Sequence, residues 1–237
     1  MKEVTDCQIF LIDIGDTLVH IQEPFEIYTR QAIRNIEQFF ESDDTSRFVE
    51  TVFNVRQQIR AEAHRSLREF SFSFFIEEVS RIFSPKYHNL TPDRLQEIEN
   101  AYIRAELNIT RIFPDTPDFL RQLQAQGKQM VIATNNFSSL HVYQLLEKFA
   151  LTDLFQGIYI SGEIGWRKPH PKFLTHIADN FPGFNREKAI IIGDKPEMDV
   201  ALANNGKIKS IWLNRKNIQN VSFIPTIEVH SLSDIKF

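Results

Sequence analysis

A basic surplus, a second cysteine and any long apolar run are all missing from this 237-residue chain. Lys and Arg number 27 against 31 Asp and Glu, a net charge of −4, so there is no polybasic surface of the kind that draws nucleic acid. The one cysteine, Cys7, cannot close an internal disulfide, and its place in an apolar run makes it a buried thiol and points to a reducing compartment. No stretch reaches the roughly 18 apolar residues of a membrane span, and the early apolar run is too short for a signal peptide. The expectation is a cytoplasmic enzyme, a monomer or homodimer, with neither nucleic acid nor membrane as partner. Glycine is also missing from the whole of 20–111.

What is present is a hydrophobic content of 42%, enough for a sizeable core in one large domain or two smaller ones. Three short apolar runs, at 7–12, 129–133 and 189–192, are rich in residues that suit strands buried on both faces, and each reads as a central parallel strand. Helical patterns lie between them. One has Thr116 as N-cap, Pro117 as first helical residue and Gly127 closing it; others cover about 138–149 and 171–180, with a further strand at 157–160. Such alternation predicts an α/β fold, a Rossmann-like parallel sheet core in three αβα layers. The glycine-free stretch breaks it with helix-period sequence, many charges and many phenylalanines. Helices are expected at about 24–40, 45–67, 71–83 and 92–107, with Ser84-Pro85 and Thr91-Pro92 as breaks. The organisation predicted is a catalytic core of 1–19 and 112–237, interrupted by an all-α helical cap domain over 20–111.

Polar residues follow each apolar run: Asp13 after the first, Thr134-Asn135-Asn136 after the second, Gly193-Asp194 after the third. Any one of them alone reads as a turn former or helix cap, and Lys168 alone as a surface lysine. Together they leave the carboxyl ends of separate strands, the edge of an open α/β sheet where ligands bind.

Asp13-Ile-Gly-Asp-Thr-Leu18, Thr134-Asn135, Lys168-Pro169, and Gly193-Asp194 with Asp199 resemble, in order and spacing, the four motifs of the haloacid dehalogenase superfamily. The resemblance implies a magnesium-dependent phosphatase acting on a small phosphorylated metabolite. In it Asp13 is the nucleophile and forms an aspartyl-phosphate. Mg2+ is held by Asp13, Asp194 and the backbone carbonyl of Gly15, with Asp199 orienting metal-bound water. Thr134, Asn135 and Lys168 bind the phosphoryl group, and Lys168 neutralises developing charge.

One position departs from the pattern. Most such phosphatases carry a second Asp two residues after the nucleophile as general acid, and here that position is Gly15. A missing general acid forfeits roughly 10²- to 10⁴-fold. Asp16, the cap residues His20, Glu23 or His64, or a good leaving group are the available replacements, with Asp16 expected to bond to backbone within its turn. Alternatives are a phosphate-binding or regulatory protein that has lost turnover, a 2-haloacid dehalogenase, or a phosphonate hydrolase relying on Lys86. Cap residues Arg56, Arg60, His64 and Arg68 are spaced as a solvated helix face, and 19–21 and 110–114 are hinge candidates.

Overall fold

The computed structural model describes residues 2–83, 90–219 and 221–236. The expected break at Ser84-Pro85 and the candidate Lys86 lie outside these residues. Eight strands are present among them: β1 (Ile9–Ile12), β2 (Val19–Ile21), β3 (Thr110–Ile112), β4 (Gln129–Thr134), β5 (Gly157–Ile160), β6 (Ala189–Gly193), β7 (Lys209–Leu213) and β8 (Ile227–Val229). The α-helices are α1 (Lys2–Thr5), α2 (Phe25–Ile36), α3 (Thr45–Ser66), α4 (Phe72–Phe83), α5 (Pro92–Ile109), α6 (Thr116–Ala125), α7 (Ser139–Lys148), α8 (Ser161–Ile164), α9 (Pro171–Asn180) and α10 (Ala201–Gly206). None is long and apolar enough to cross a membrane.

Six strands form one sheet in the order β5-β4-β1-β6-β7-β8, every adjacent pair parallel. Strand β1 is central and completely buried, as are all five residues of β6, which is why both read as unbroken apolar runs rather than alternating ones. Alternate residues serve opposite faces. Phe10, Ile12, Met130 and Ile132 pack with Leu120 and Leu123 of α6 and Val142 and Leu146 of α7. Ile9, Leu11, Val131 and Ala133 pack with Phe173, Leu174 and Ile177 of α9 and Leu202 and Ala203 of α10. This is the three-layer α/β core that the alternation predicts. The order reverses at β1: the chain runs outward through β4 and β5, then returns to β6 on the other side. The crevice at the carboxyl ends of β4, β1 and β6 follows from that switch.

Helices α2 to α5 share a separate apolar cluster in which aromatic rings predominate. Phe72 lies 5.5 Å from Tyr102 and 5.8 Å from Phe137, and Phe75 lies 5.6 Å from Tyr102 in an edge-on arrangement. Phe137 comes from the loop after β4, so the sheet's own edge reaches into the helical cluster. The expected helix over 24–40 splits in two, α2 followed by a 3-10 turn at Glu37–Phe39, and the others begin and end within two residues of expectation.

Three features were not expected from the sequence. The segments proposed as hinges form an antiparallel ribbon, with β2 paired to β3 from Val19–Ile112 to Ile21–Thr110. Strands β7 and β8 extend the sheet beyond β6. Thr116 is the first helical residue of α6 rather than its cap, and its fully buried Oγ1 donates to the Leu18 carbonyl at 2.8 Å. Asp115 sits at the cap position and accepts from both terminal nitrogens of Arg215 at 2.9 Å, and from Ser231. Arg215 also donates to the Thr17 carbonyl, which ties the loop after β1 to the far edge of the sheet.

Phe75 is fully buried in the aromatic cluster. Phe75→Ala is expected to cost about 3–5 kcal/mol of stability, read as a lower urea midpoint, because the ring's contacts and transfer energy go together.

Candidate active site

Parallel strands deliver polar groups at their carboxyl ends, and here three strands deliver them around one buried lysine. Asp13 follows β1 and is 8% exposed, Thr134 closes β4 and is buried, and Asp194 follows β6. Lys168, only 2% exposed, spends its three ammonium protons on Asp13 Oδ1 at 2.8 Å, Asp199 Oδ1 at 2.6 Å and the Ala133 carbonyl at 2.7 Å. An ammonium has three donors and no acceptor, so all are used. Burial works against the charged form, and the two carboxylates more than reverse that, so the Lys168 pKa stands above the ordinary lysine value.

Asn135 fixes where that lysine starts. Its Oδ1 accepts from the Lys168 backbone N–H at 2.8 Å and its Nδ2 donates to the Lys168 carbonyl at 3.1 Å, bracketing the residue from both sides. Asp199 lies in a π-helical turn over Pro196–Val200, and such turns recur at functional sites. Its second oxygen accepts from the Lys195 N–H at 3.2 Å. Gly193 makes room for it: a Cβ there would sit 2.1 Å from the Asp199 carboxylate.

Asp13, Asp194 and Asp199 each offer an oxygen within 4.8 Å of the others. Three carboxylates against the Lys168 and Lys195 ammonium groups leave a surplus of negative charge. Asp194 Oδ1 is buried and has no hydrogen-bond partner among the described residues. Burial, with Asp13 and Asp199 adding to it and Lys195 opposing, raises the Asp194 carboxyl to about 7. Burial likewise lifts Asp199, against the pull of Lys168. An orphaned oxygen and an all-oxygen donor set suit a hard divalent cation, so the residues fit magnesium.

The sequence-predicted residues Asp13, Gly15, Thr134, Asn135, Lys168 and Asp199 all line one cavity of about 590 Å³. Asp194 lines an adjoining cavity together with His20 and Asp16. Of the acid candidates, Glu23 and His64 face the first cavity, whereas His20 lies against Phe113 with ring centroids 4.7 Å apart. Asp16 corrects the expectation of a backbone bond within its turn: its φ is +55° and its carboxylate pairs with Lys216 at 3.3 Å. Arg56, Arg60 and His64 also line the main cavity rather than forming a purely solvated face.

Sequence reasoning missed Glu69. Its buried carboxylate accepts from Ser161 Oγ at 2.6 Å and pairs with Arg167. Around it the backbone of 67–69 pairs with 165–167, through Arg167 N to Leu67 O at 2.9 Å and Glu69 N to Gly165 O at 3.1 Å. The loop that carries Lys168 is therefore held by the helical segment. No local signal marks Glu69, since its partners lie more than ninety residues away.

A family profile described as haloacid dehalogenase-like hydrolase matches residues 43–213. The chain belongs to this family. It is 30% identical over 119 residues to the pyrimidine 5'-nucleotidase PynA of Streptococcus pneumoniae, covering 50% of each chain. It is 30% identical to the pyrimidine 5'-nucleotidase YjjG of Escherichia coli over 62% of this chain and 64% of that one, so the matches span only half to two thirds of these relatives. The crystal structure of the HAD-hydrolase YfnB from Bacillus subtilis, bound to magnesium, superposes with a TM-score of 0.63 at 21% identity, covering 96% of each chain. The profile match starts after Asp13, so the geometry around that residue is the separate observation that brings the first motif into the site.

Two outcomes follow from the carboxylate cluster. With its pKa raised, Asp194 in the folded, metal-free chain keeps a proton that the unfolded chain has released, so its contribution to stability falls as pH rises from the ordinary carboxylate range through about 7. Cation binding needs the deprotonated form. The rise in melting temperature on adding magnesium is therefore expected to be larger at about pH 8 than at about pH 5, and an equal rise at both would contradict it. Gly193→Ala should cost about 1–3 kcal/mol in urea unfolding by displacing the Asp199 carboxylate.

Proposed function

We propose that this chain is a magnesium-dependent phosphatase that hydrolyses a small phosphorylated metabolite through an aspartyl-phosphate on Asp13, under a helical cap formed by 20–111. The observation that carries this reading is the Asp13 carboxylate at the end of the central strand, anchored by Lys168 and within 4.8 Å of carboxylate oxygens on Asp194 and Asp199. Nucleotidase relatives favour a phosphate ester over a carbon–halogen bond.

Magnesium, held by Asp13, Asp194 and the Gly15 carbonyl, would supply positive charge against the phosphate oxygens. Lys168 orients Asp13, with one carboxylate oxygen bonded to the ammonium and the other left for attack on phosphorus. As the Asp13–phosphorus bond forms, the bond from phosphorus to the leaving oxygen breaks and its electron pair departs with that oxygen. Thr134 Oγ1 and the neighbouring backbone N–H hold phosphoryl oxygens, and Asn135 keeps Lys168 in register. Water then attacks phosphorus, releasing inorganic phosphate and regenerating the Asp13 carboxylate. Asp199 anchors Lys168 and orients the water. The cap limits water access, and the loops around β2 and β3 are where it would move.

The leaving oxygen needs a proton, and Gly15 offers none. Of the candidate acids, Glu23 and His64 face the cavity without a side-chain partner among the described residues, whereas Asp16 is paired with Lys216. A Cβ at Gly15 would meet no atom within 4 Å, so a side chain can begin there without a clash. The native chain should hydrolyse aryl phosphates faster than alkyl phosphates, and Gly15→Asp should raise the alkyl rate by about 10²-fold. Equal native rates across leaving groups of widely different pKa would overturn the first expectation. The central test is aryl phosphate hydrolysis with magnesium, with chelator, and by Asp13→Asn. Loss in both controls supports the mechanism; magnesium binding without any turnover would favour a phosphate-binding role instead.

A further inference from the structure

Helix α3 presents Arg56, Arg60 and His64 at four-residue intervals to the same cavity as Asp13. Four arginines elsewhere in the helical unit pair with acids: Arg30 with Glu26 and Glu50, Arg65 with Glu62, Arg81 with Glu78 and Arg94 with Glu97. Arg56 and Arg60 are not. Among the described residues neither has a carboxylate in ion-pairing distance; their guanidinium groups lie over the rings of Phe137 at 3.9 Å and Phe25 at 4.1 Å. Stacking occupies a guanidinium face; Arg56 also bonds to the Tyr102 hydroxyl, and the remaining N–H groups can bind an oxyanion. The Arg56 Nε is buried with no hydrogen-bond partner.

Glu23 and Glu197 line the cavity without an ion pair to either arginine among the described residues, and other acids that share it face different partners. Glu69 is bonded to Ser161 and Arg167, Asp16 faces Lys216, and Glu106 Oε1 lies 3.7 Å from His141 Nε2. Burial and Arg56 both press on the Arg60 guanidinium, as expected where two like charges lack a counter-ion. A partly enclosed cavity with two uncompensated guanidinium groups on one wall and the phosphate-binding residues on another is built for a ligand with negative charge at both ends.

We propose that Arg56 and Arg60 form a second anion subsite, so that the substrate is a small phosphomonoester carrying another oxyanion, a carboxylate or a second phosphate, at its far end. The proposal rests on the phosphatase reading for the scissile phosphate, but the subsite can be tested by binding alone. Three probes with the same aryl scaffold serve: 4-carboxyphenyl phosphate, 1,4-phenylene bisphosphate and the neutral-ended 4-carbamoylphenyl phosphate. Calorimetry on full-length Asp13→Asn with magnesium is expected to give at least one anionic probe about tenfold tighter binding than the neutral one. The anionic probe that gains identifies carboxylate or phosphate as the second group. In Arg56→Gln and Arg60→Gln backgrounds that preference should fall below about twofold, while Arg60→Lys should retain part of it. No preference in the parent protein, or a preference that survives both glutamine substitutions, would overturn the subsite. Because the readout is a ratio between probes on folded protein, absence of turnover would sink the phosphatase reading without altering this outcome.

Discussion

The Lys168 ammonium is the interaction on which the rest of the site depends. A lysine that is 2% exposed is stable as a cation only if its protons are all taken, and here they go to Asp13, Asp199 and the Ala133 carbonyl. That requirement constrains three strands at once. The carbonyl comes from β4, Asp13 follows β1, and Asp199 sits in the π-helical turn beyond β6, whose last glycine leaves space for its carboxylate. Removing either acid would leave one of the buried ammonium's protons without its acceptor, and removing the lysine would leave carboxylates crowded within 4.8 Å of one another. Asn135 completes the arrangement by holding the lysine's own peptide groups.

The same residues link this electrostatic centre to the helical unit. Lys168 follows directly on the segment 165–167, whose backbone pairs with 67–69 at the end of α3. Phe137, one turn of chain beyond Asn135, packs among Phe72, Phe75 and Tyr102. Any displacement of the helical unit would therefore be felt at the loops bearing Asn135 and Lys168 as well as at the β2–β3 ribbon. The buried Glu69, bonded to Ser161 and Arg167 across that junction, gives the contact a defined register.

Charge divides the cavity into two regions. Around Asp13 the surplus is negative, with Asp194 bearing an unpartnered oxygen, which suits a cation. Across the cavity, on α3, the surplus is positive, with Arg56 and Arg60 stacked on aromatic rings rather than paired with acids. The proposed ligand with two anionic ends would meet both regions, the first of them through a bound cation.

By itself the sequence determined the α/β core and where its candidate site residues fall on the sheet, because those rest on local pattern. Strands buried on both faces must be continuously apolar, so β1, β4 and β6 were legible, and the polar residues that end them fell at the sheet's binding edge for topological reasons. Helices α3, α5 and α9 were legible from period and from Thr91-Pro92 and Pro171 at their starts. Tertiary structure alone decided what depends on distant partners. Thr116 bonds to Leu18 rather than capping its helix, Asp16 turns toward Lys216 two hundred residues away, and Glu69 meets Ser161 and Arg167. The spacing of Arg56, Arg60 and His64 allowed either a solvated or a cavity-lining face, and the packing of α3 above the crevice chose the latter. Periodicity states which residues share a face; only the fold states what that face meets.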